Sequence, residues 1–99
     1  MKQYIFDQFV NNILEHTGFT KDQLFENSRN REYSNARRVL YRLCKDRGMP
    51  TKTVENYMND NGFKCYPNTI QQALVSLDKV MAQDPDYDII LRKLSNVEA

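Results

Sequence analysis

Residues 33–47 admit one regular structure. Taken at about 100° per residue, Tyr33, Ala36, Val39, Leu40, Leu43 and Cys44 fall in one broad stripe, and Arg38, Arg42 and Lys45 gather almost diametrically opposite. The spacing therefore predicts a helix that is anchored in a core along one side and carries an ordered row of cations along the other. Arg29 and Arg31 precede it on an Asn- and Ser-rich lead-in with no periodicity. Residues 28–47 hold seven basic side chains against two acidic ones, a local charge of +5 in a chain whose net charge is +1, so the remainder carries −4. A solvated outer face is the ordinary explanation of a charged helix surface. Segregation this sharp instead favours an anionic partner, of which a nucleic-acid duplex is the commonest.

The same period runs through the rest of the chain. Tyr4, Ile5, Phe6, Phe9, Val10, Ile13 and Leu14 predict a first helix, ended by Gly18, whose aromatic residues either cover the domain's own core or pair with a second copy. Thr20 with Gln23 has the form of a capping box opening a short second helix. Gly48 and Pro50 stop the long cationic helix, and Thr51 or Thr53 caps a fourth, carrying Val54, Tyr57 and Met58, that stops before Gly62. Pro67 suits the first turn of a fifth, with Ile70, Ala73, Leu74, Leu77, Val80 and Met81 inward and Asn68, Gln71, Gln72, Val75 and Lys79 outward. A final helix turns Tyr87, Ile90, Leu91 and Leu94 inward. No alternating apolar run occurs, so the expected fold is all-α, about six helices in a single domain over residues 1–99.

Several classes of function find no support. No apolar run approaches the roughly 18 residues of a membrane span, and no secretory signal pattern opens the chain, so a soluble, cytoplasmic protein is expected. Cys44 and Cys65 have no metal-ligand spacing and lie far in sequence from His16, the single histidine; Cys44 reads as a core residue and Cys65 as an incidental turn residue. With one histidine there is no nucleophile, base and acid constellation, so no enzyme is expected, and no catalytic residue, metal or cofactor is assigned. Asp84, Asp86 and Asp88 at a helix start are explained by capping and the helix dipole, since a calcium loop would need a glycine and a distal glutamate.

The fourth and fifth helices, joined by a turn containing Gly62, have the shape of a helix-turn-helix. Asn and Gln can bond both N6 and N7 of adenine in the major groove, so Asn68, Gln71 and Gln72 are chemically apt for base contacts.

Four blocks resemble the carboxy-terminal DNA-binding domain of the bacterial replication initiator DnaA: LFENSRNREYSNARRVLYRL, VENYM, PNTIQQAL and DPDYDIILRKL. The resemblance runs from about Phe19 to Leu94, leaving residues 1–18 as an added or altered amino-terminal helix. It implies a Trp repressor-like fold and double-stranded DNA as partner, with Arg29 inserted into the minor groove, Arg31 beside it on the basic loop, and Arg37 and Lys45 turned toward the duplex. A minor groove narrowed at A·T steps concentrates negative potential that an inserted guanidinium can meet. The family's recognition-helix signature is replaced by Tyr66, Pro67, Asn68 and Thr69, preceded by Phe63, Lys64 and Cys65, and only the pair Thr69 and Ile70 is retained. The initiator's own target is therefore not expected to be read. No nucleotide-binding loop of the form GxxxxGK[ST] occurs, so no nucleotide cofactor is expected.

The expected mechanism has phosphate contacts from Arg37, Arg38, Arg42 and Lys45, minor-groove contact from Arg29 with Arg31, and base contacts from the start of the fifth helix, with Lys64, Tyr66, Asn68, Thr69, Gln71 and Gln72 as the candidate set. The alternative is a protein-interaction module, with replication or transcription proteins as its partners, that has lost base readout and uses Tyr41, Phe63 and Tyr66 as partly exposed aromatic anchors.

Overall fold

The computed structural model describes residues 2–27 and 30–96. Six α-helices occur among the described residues, α1 (Lys2–Thr17), α2 (Lys21–Leu24), α3 (Arg31–Asp46), α4 (Thr51–Asp60), α5 (Pro67–Gln83) and α6 (Asp86–Leu94), with no strand among them. The all-α, six-helix expectation is met.

The core is built around α3. Its Val39, Leu40, Leu43 and Cys44 are buried together with Phe6, Phe9, Val10 and Ile13 of α1, Leu24 of α2, Val54 and Met58 of α4, Ile70 of α5, and Leu91 and Leu94 of α6. Phe6 and Phe9 are among its largest fully buried side chains, and such side chains contribute about 1.5–3 kcal/mol each relative to exposure. The first helix thus covers its own domain, with the Phe6 ring 5.1 Å from that of Tyr57, and leaves Tyr4 half-exposed. Asn12 of α1 donates from Nδ2 to the carbonyls of Leu94 and Asn96, satisfying acceptors at the end of α6 that have no partner in their own helix.

Helix boundaries follow local chemistry. The Thr20–Gln23 capping box forms in full. The third helix begins at Arg31 rather than Tyr33 because Asn30 Oδ1 accepts from the amides of Glu32 and Tyr33, and it ends at Asp46. Gly48, with φ of 88°, then turns the chain in a conformation that side-chain-bearing residues rarely adopt. Neither Thr51 nor Thr53 caps α4: Pro50 occupies the N-cap position, so Thr51 already lies inside the helix. Pro85 occupies the N-cap position of α6 and makes no side-chain cap; Asp84, one residue earlier, accepts at Oδ1 from the Asp86 amide at 3.1 Å, and Asp86 and Asp88 place their charge in the first turn.

Two burial expectations are corrected. Val80 is 39% exposed, because it lies about 70° from the centre of the buried stripe of α5 while Met81 lies close to it. Cys65 is no incidental turn residue: it is 2% exposed, with Sγ 3.9 Å from the Tyr41 hydroxyl, and anchors the turn onto α3.

Candidate nucleic-acid interface

The apolar face of α5 centres on Ile70 and Leu77, both 3% exposed. Asn68, Gln71, Gln72, Val75 and Lys79 form the opposite, exposed ridge, as the helical period requires. Packed beneath α5, α3 sends a cation into the groove on each side of it. Arg38 lines one groove with Ser34, Thr69, Gln72 and Ser76. Lys45 lines the other with Thr51, Gln71 and Val75. No carboxylate among the described residues pairs with Arg38 or Lys45; Arg38 is half-buried and donates to Asn35 Oδ1 at 2.9 Å. The ridge of α5 therefore stands between two positive edges.

Arg37 departs most from expectation. At about 20° from Cys44 on the helical wheel it belongs to the flank of the apolar stripe, and it is 4% exposed. Its Nη1 donates to the Leu24 carbonyl at 2.8 Å and the Glu26 carbonyl at 3.1 Å, its Nη2 donates to Ser34 Oγ at 3.2 Å, and the guanidinium lies 4.5 Å from the centre of the Phe63 ring. Burial lowers its pKa from the ordinary arginine value, Tyr41 and Glu26 opposing that shift, and an arginine so perturbed stays charged at neutral pH. Arg37 binds the basic loop to the turn between α4 and α5 and offers nothing to a phosphate.

Arg42 is engaged as well. Its Nε donates to Asp46 at 3.1 Å, and Nη1 meets Asp78 Oδ1 of α5 at 2.6 Å. Partial burial works against its charge, but the two carboxylates outweigh it and raise its pKa. The sequence places Asp46 one turn along α3 from Arg42; that Asp78 arrives over the same side chain is a product of how the two helices cross.

Asn27 was not singled out from the sequence, yet it joins the basic loop to the same turn. Its Nδ2 donates to the Gly62 carbonyl at 3.1 Å and its Oδ1 accepts from the Lys64 amide at 3.1 Å. Residues 37 positions apart are thereby held in contact, and an Asn in an irregular lead-in carries no periodic signal that would reveal it. Arg31 is exposed at the first position of α3, and Lys64, Tyr66 and Asn68 are exposed at the approach to α5. Thr69 is half-buried, and Gln71 and Gln72 are exposed. Arg29 lies outside the described residues.

Of the three aromatic anchors considered for a protein partner, Tyr41 is 3% exposed and not presented, while Phe63 is half-buried with the Arg37 guanidinium over its ring. Tyr66 is 63% exposed. Burial raises the Tyr41 hydroxyl and Cys65 thiol above their ordinary pKa values and pushes the Cys44 thiol up to about 12, so none of them ionises near neutrality.

A cleft of about 460 Å³ between α1, α3 and α6, lined in part by His16, Glu32, Asn35 and Tyr87, contains none of the cations or α5 residues described above. Among the described residues no cluster of three His, Cys, Asp or Glu side chains could hold a metal ion, and no helix is long and apolar enough to cross a membrane. The chain matches no protein-family model, no curated protein and no solved structure.

Proposed function

We propose that this domain binds double-stranded DNA, with the exposed ridge of α5 in the major groove and α3 cations on the phosphates at both sides. The observation that carries this reading is the crossing of α3 beneath α5, which puts Arg38 and Lys45 in the grooves flanking a ridge of Asn, Gln and Val side chains. A B-DNA major groove is about 12 Å wide and admits one α-helix between two phosphate walls, so a helix with cations along both sides matches its charge distribution. Lys64, exposed three residues before α5, adds a cation at that helix's amino-terminal end, and Arg31 is an exposed cation at the start of α3. Arg37 and Arg42 leave the contact set, Arg37 as an internal tie and Arg42 through its ion pairs. In this arrangement phosphate contacts set position and the ridge meets base edges. The domain then acts on the duplex in the manner of the initiator domain it resembles. Replication or transcription control is the corresponding process.

Fluorescence anisotropy of a labelled duplex titrated across salt concentrations tests the proposal. Four phosphate contacts, from Arg31, Arg38, Lys45 and Lys64, give a slope of log K against log salt of about −3.6, and a fifth from Arg29 about −4.5. The double variant Arg38→Ala, Lys45→Ala flattens the slope by about 1.8 while the thermal midpoint stays near that of the parent. A parental slope near zero overturns the proposal. Protein-partner binding through Tyr66 is the reading such a result would favour.

A further inference from the structure

From the composition of the α5 ridge we infer that Gln71, Gln72 and Val75 select A·T base pairs, with Val75 packing on the 5-methyl group of thymine; this rests on the duplex-binding reading above. Val75 is 55% exposed in the middle of a ridge that is otherwise amide-bearing near it. A β-branched residue gains nothing in an exposed helix interior from propensity, and more than half of this one is left uncovered by the fold. Gln71 and Gln72 precede it by four and three positions, so each is a helix-surface neighbour of Val75, one on either flank of it, with Cβ atoms about 5–6 Å from that of Val75. A·T pairs offer that set its complement: adenine presents N6 and N7 to a bidentate Gln, and thymine presents the one apolar group in the major groove. G·C pairs present no methyl group, and guanine is met best by Arg or Lys, neither of which occurs between Tyr66 and Leu77.

The electrostatics of the ridge agree. Residues 66–77 contain no Asp or Glu, in a chain that carries 13 acidic residues. The first carboxylate along α5 is Asp78, and Arg42 covers it at 2.6 Å. An approaching duplex therefore meets a surface uncharged from Asn68 to Val75 between cationic edges, with Lys79 following on the same ridge, and Asp78 at its border is paired with Arg42. A ridge selected only for solubility would have no reason to exclude carboxylates over three turns while retaining an exposed Val.

The test takes the full chain through selection from a random duplex library. The recovered site is then compared with its counterpart in which deoxyuridine replaces thymidine. Expected are enrichment of A·T pairs at the centre of the site, a loss of about fourfold on removing the contacted methyl group, and no further loss from uracil in the Val75→Ala variant. Gln71→Ala and Gln72→Ala are expected to relax the base preference about tenfold at single positions without altering the salt slope. Equal recovery of all sequences, with salt-dependent binding intact, overturns the inference and leaves the DNA reading standing. So does a uracil penalty that persists undiminished in Val75→Ala. Absence of binding to any duplex at low salt removes the DNA reading itself, and with it this inference. The exposure of Val75 means the variant keeps the parental melting temperature, so a loss of effect cannot be assigned to unfolding.

Discussion

Replacing Arg37 by Ala separates an internal tie from a phosphate contact. The side chain makes three hydrogen bonds, to two backbone carbonyls and a hydroxyl, and covers the Phe63 ring. Hydrogen bonds from a charged donor are worth about 1.5–3 kcal/mol each, and a cation over an aromatic ring adds about 0.5–2 kcal/mol. These terms do not add fully, because Glu26 and Ser34 regain water once the guanidinium is gone. The Leu24 carbonyl, at the end of a four-residue helix, is the buried acceptor that loses most. A net destabilisation of about 3–4 kcal/mol follows, which for a domain of this size lowers the melting temperature by roughly 20 °C. Circular dichroism melts measure it directly. Arg37→Lys is expected to recover only part of the loss, since one ammonium can stand in for Nη1 at the two carbonyls but supplies neither the Nη2 bond to Ser34 nor the planar group over the Phe63 ring. At a temperature where Arg37→Ala is folded, the salt slope of duplex binding should match the parent. A melting temperature within about 2 °C of the parent, together with a slope shallower by about 0.9, would refute the reasoning and return Arg37 to the phosphate-contact set.

Four further outcomes are expected. Asp78→Asn leaves Arg42 paired with Asp46 but removes one of the two acids around it, so duplex affinity at low salt is expected to rise modestly, a gain that fades as salt screens the lost repulsion; stability changes by less than about 1 kcal/mol because Asp78 is 57% exposed. Asn27→Ala removes the two bonds between the basic loop and the turn, and amide hydrogen exchange at Lys64 should accelerate as duplex affinity falls. The Cys44 thiol, raised by burial from its ordinary 9.0 to about 12, keeps its proton in the folded chain after the unfolded chain has lost it. Its contribution is therefore fully present below pH 9 and is lost between about pH 9 and 12, by up to about 1.4 kcal/mol per pH unit, as alkaline denaturation midpoints would show. Thr20→Ala breaks the capping box at a cost of about 1 kcal/mol, read from chemical denaturation.

The pairing of Arg42 with Asp78 bears on how the interface is used. In the proposed complex Asp78 on α5 repels phosphate and Arg42 on α3 attracts it, but Arg42 also pairs with Asp46, so the three groups together carry −1 and make this flank of α5 weakly repulsive to a duplex. The positive edges that remain, at Arg38 and Lys45, lie beside the first three turns of α5, so the field draws that end of the helix inward first.

Periodicity determined most of the secondary structure, because amphipathic helices write their buried face into local spacing. The stripes of α1, α3 and α6, the Thr20 capping box and the outward set of α5 were all legible from residue order alone. Boundaries were less so where a side chain decided them: Asn30 starts α3 two residues early, and Pro50 displaces both threonines from the cap of α4. The basic stretch was equally plain in the sequence, but the state of each cation within it was not. Arg37 could have been suspected from its place beside Cys44 on the wheel. Its acceptors are carbonyls, which every residue possesses and which therefore leave no mark in the sequence. Asp78 reaches Arg42 across 36 positions, and Asn27 reaches Lys64 across 37, through the packing of α5 and its turn on α3. Local spacing decides which faces a helix has. Which charges on those faces stay available to a partner depends on what the other helices bring alongside them, and only the tertiary structure sets that.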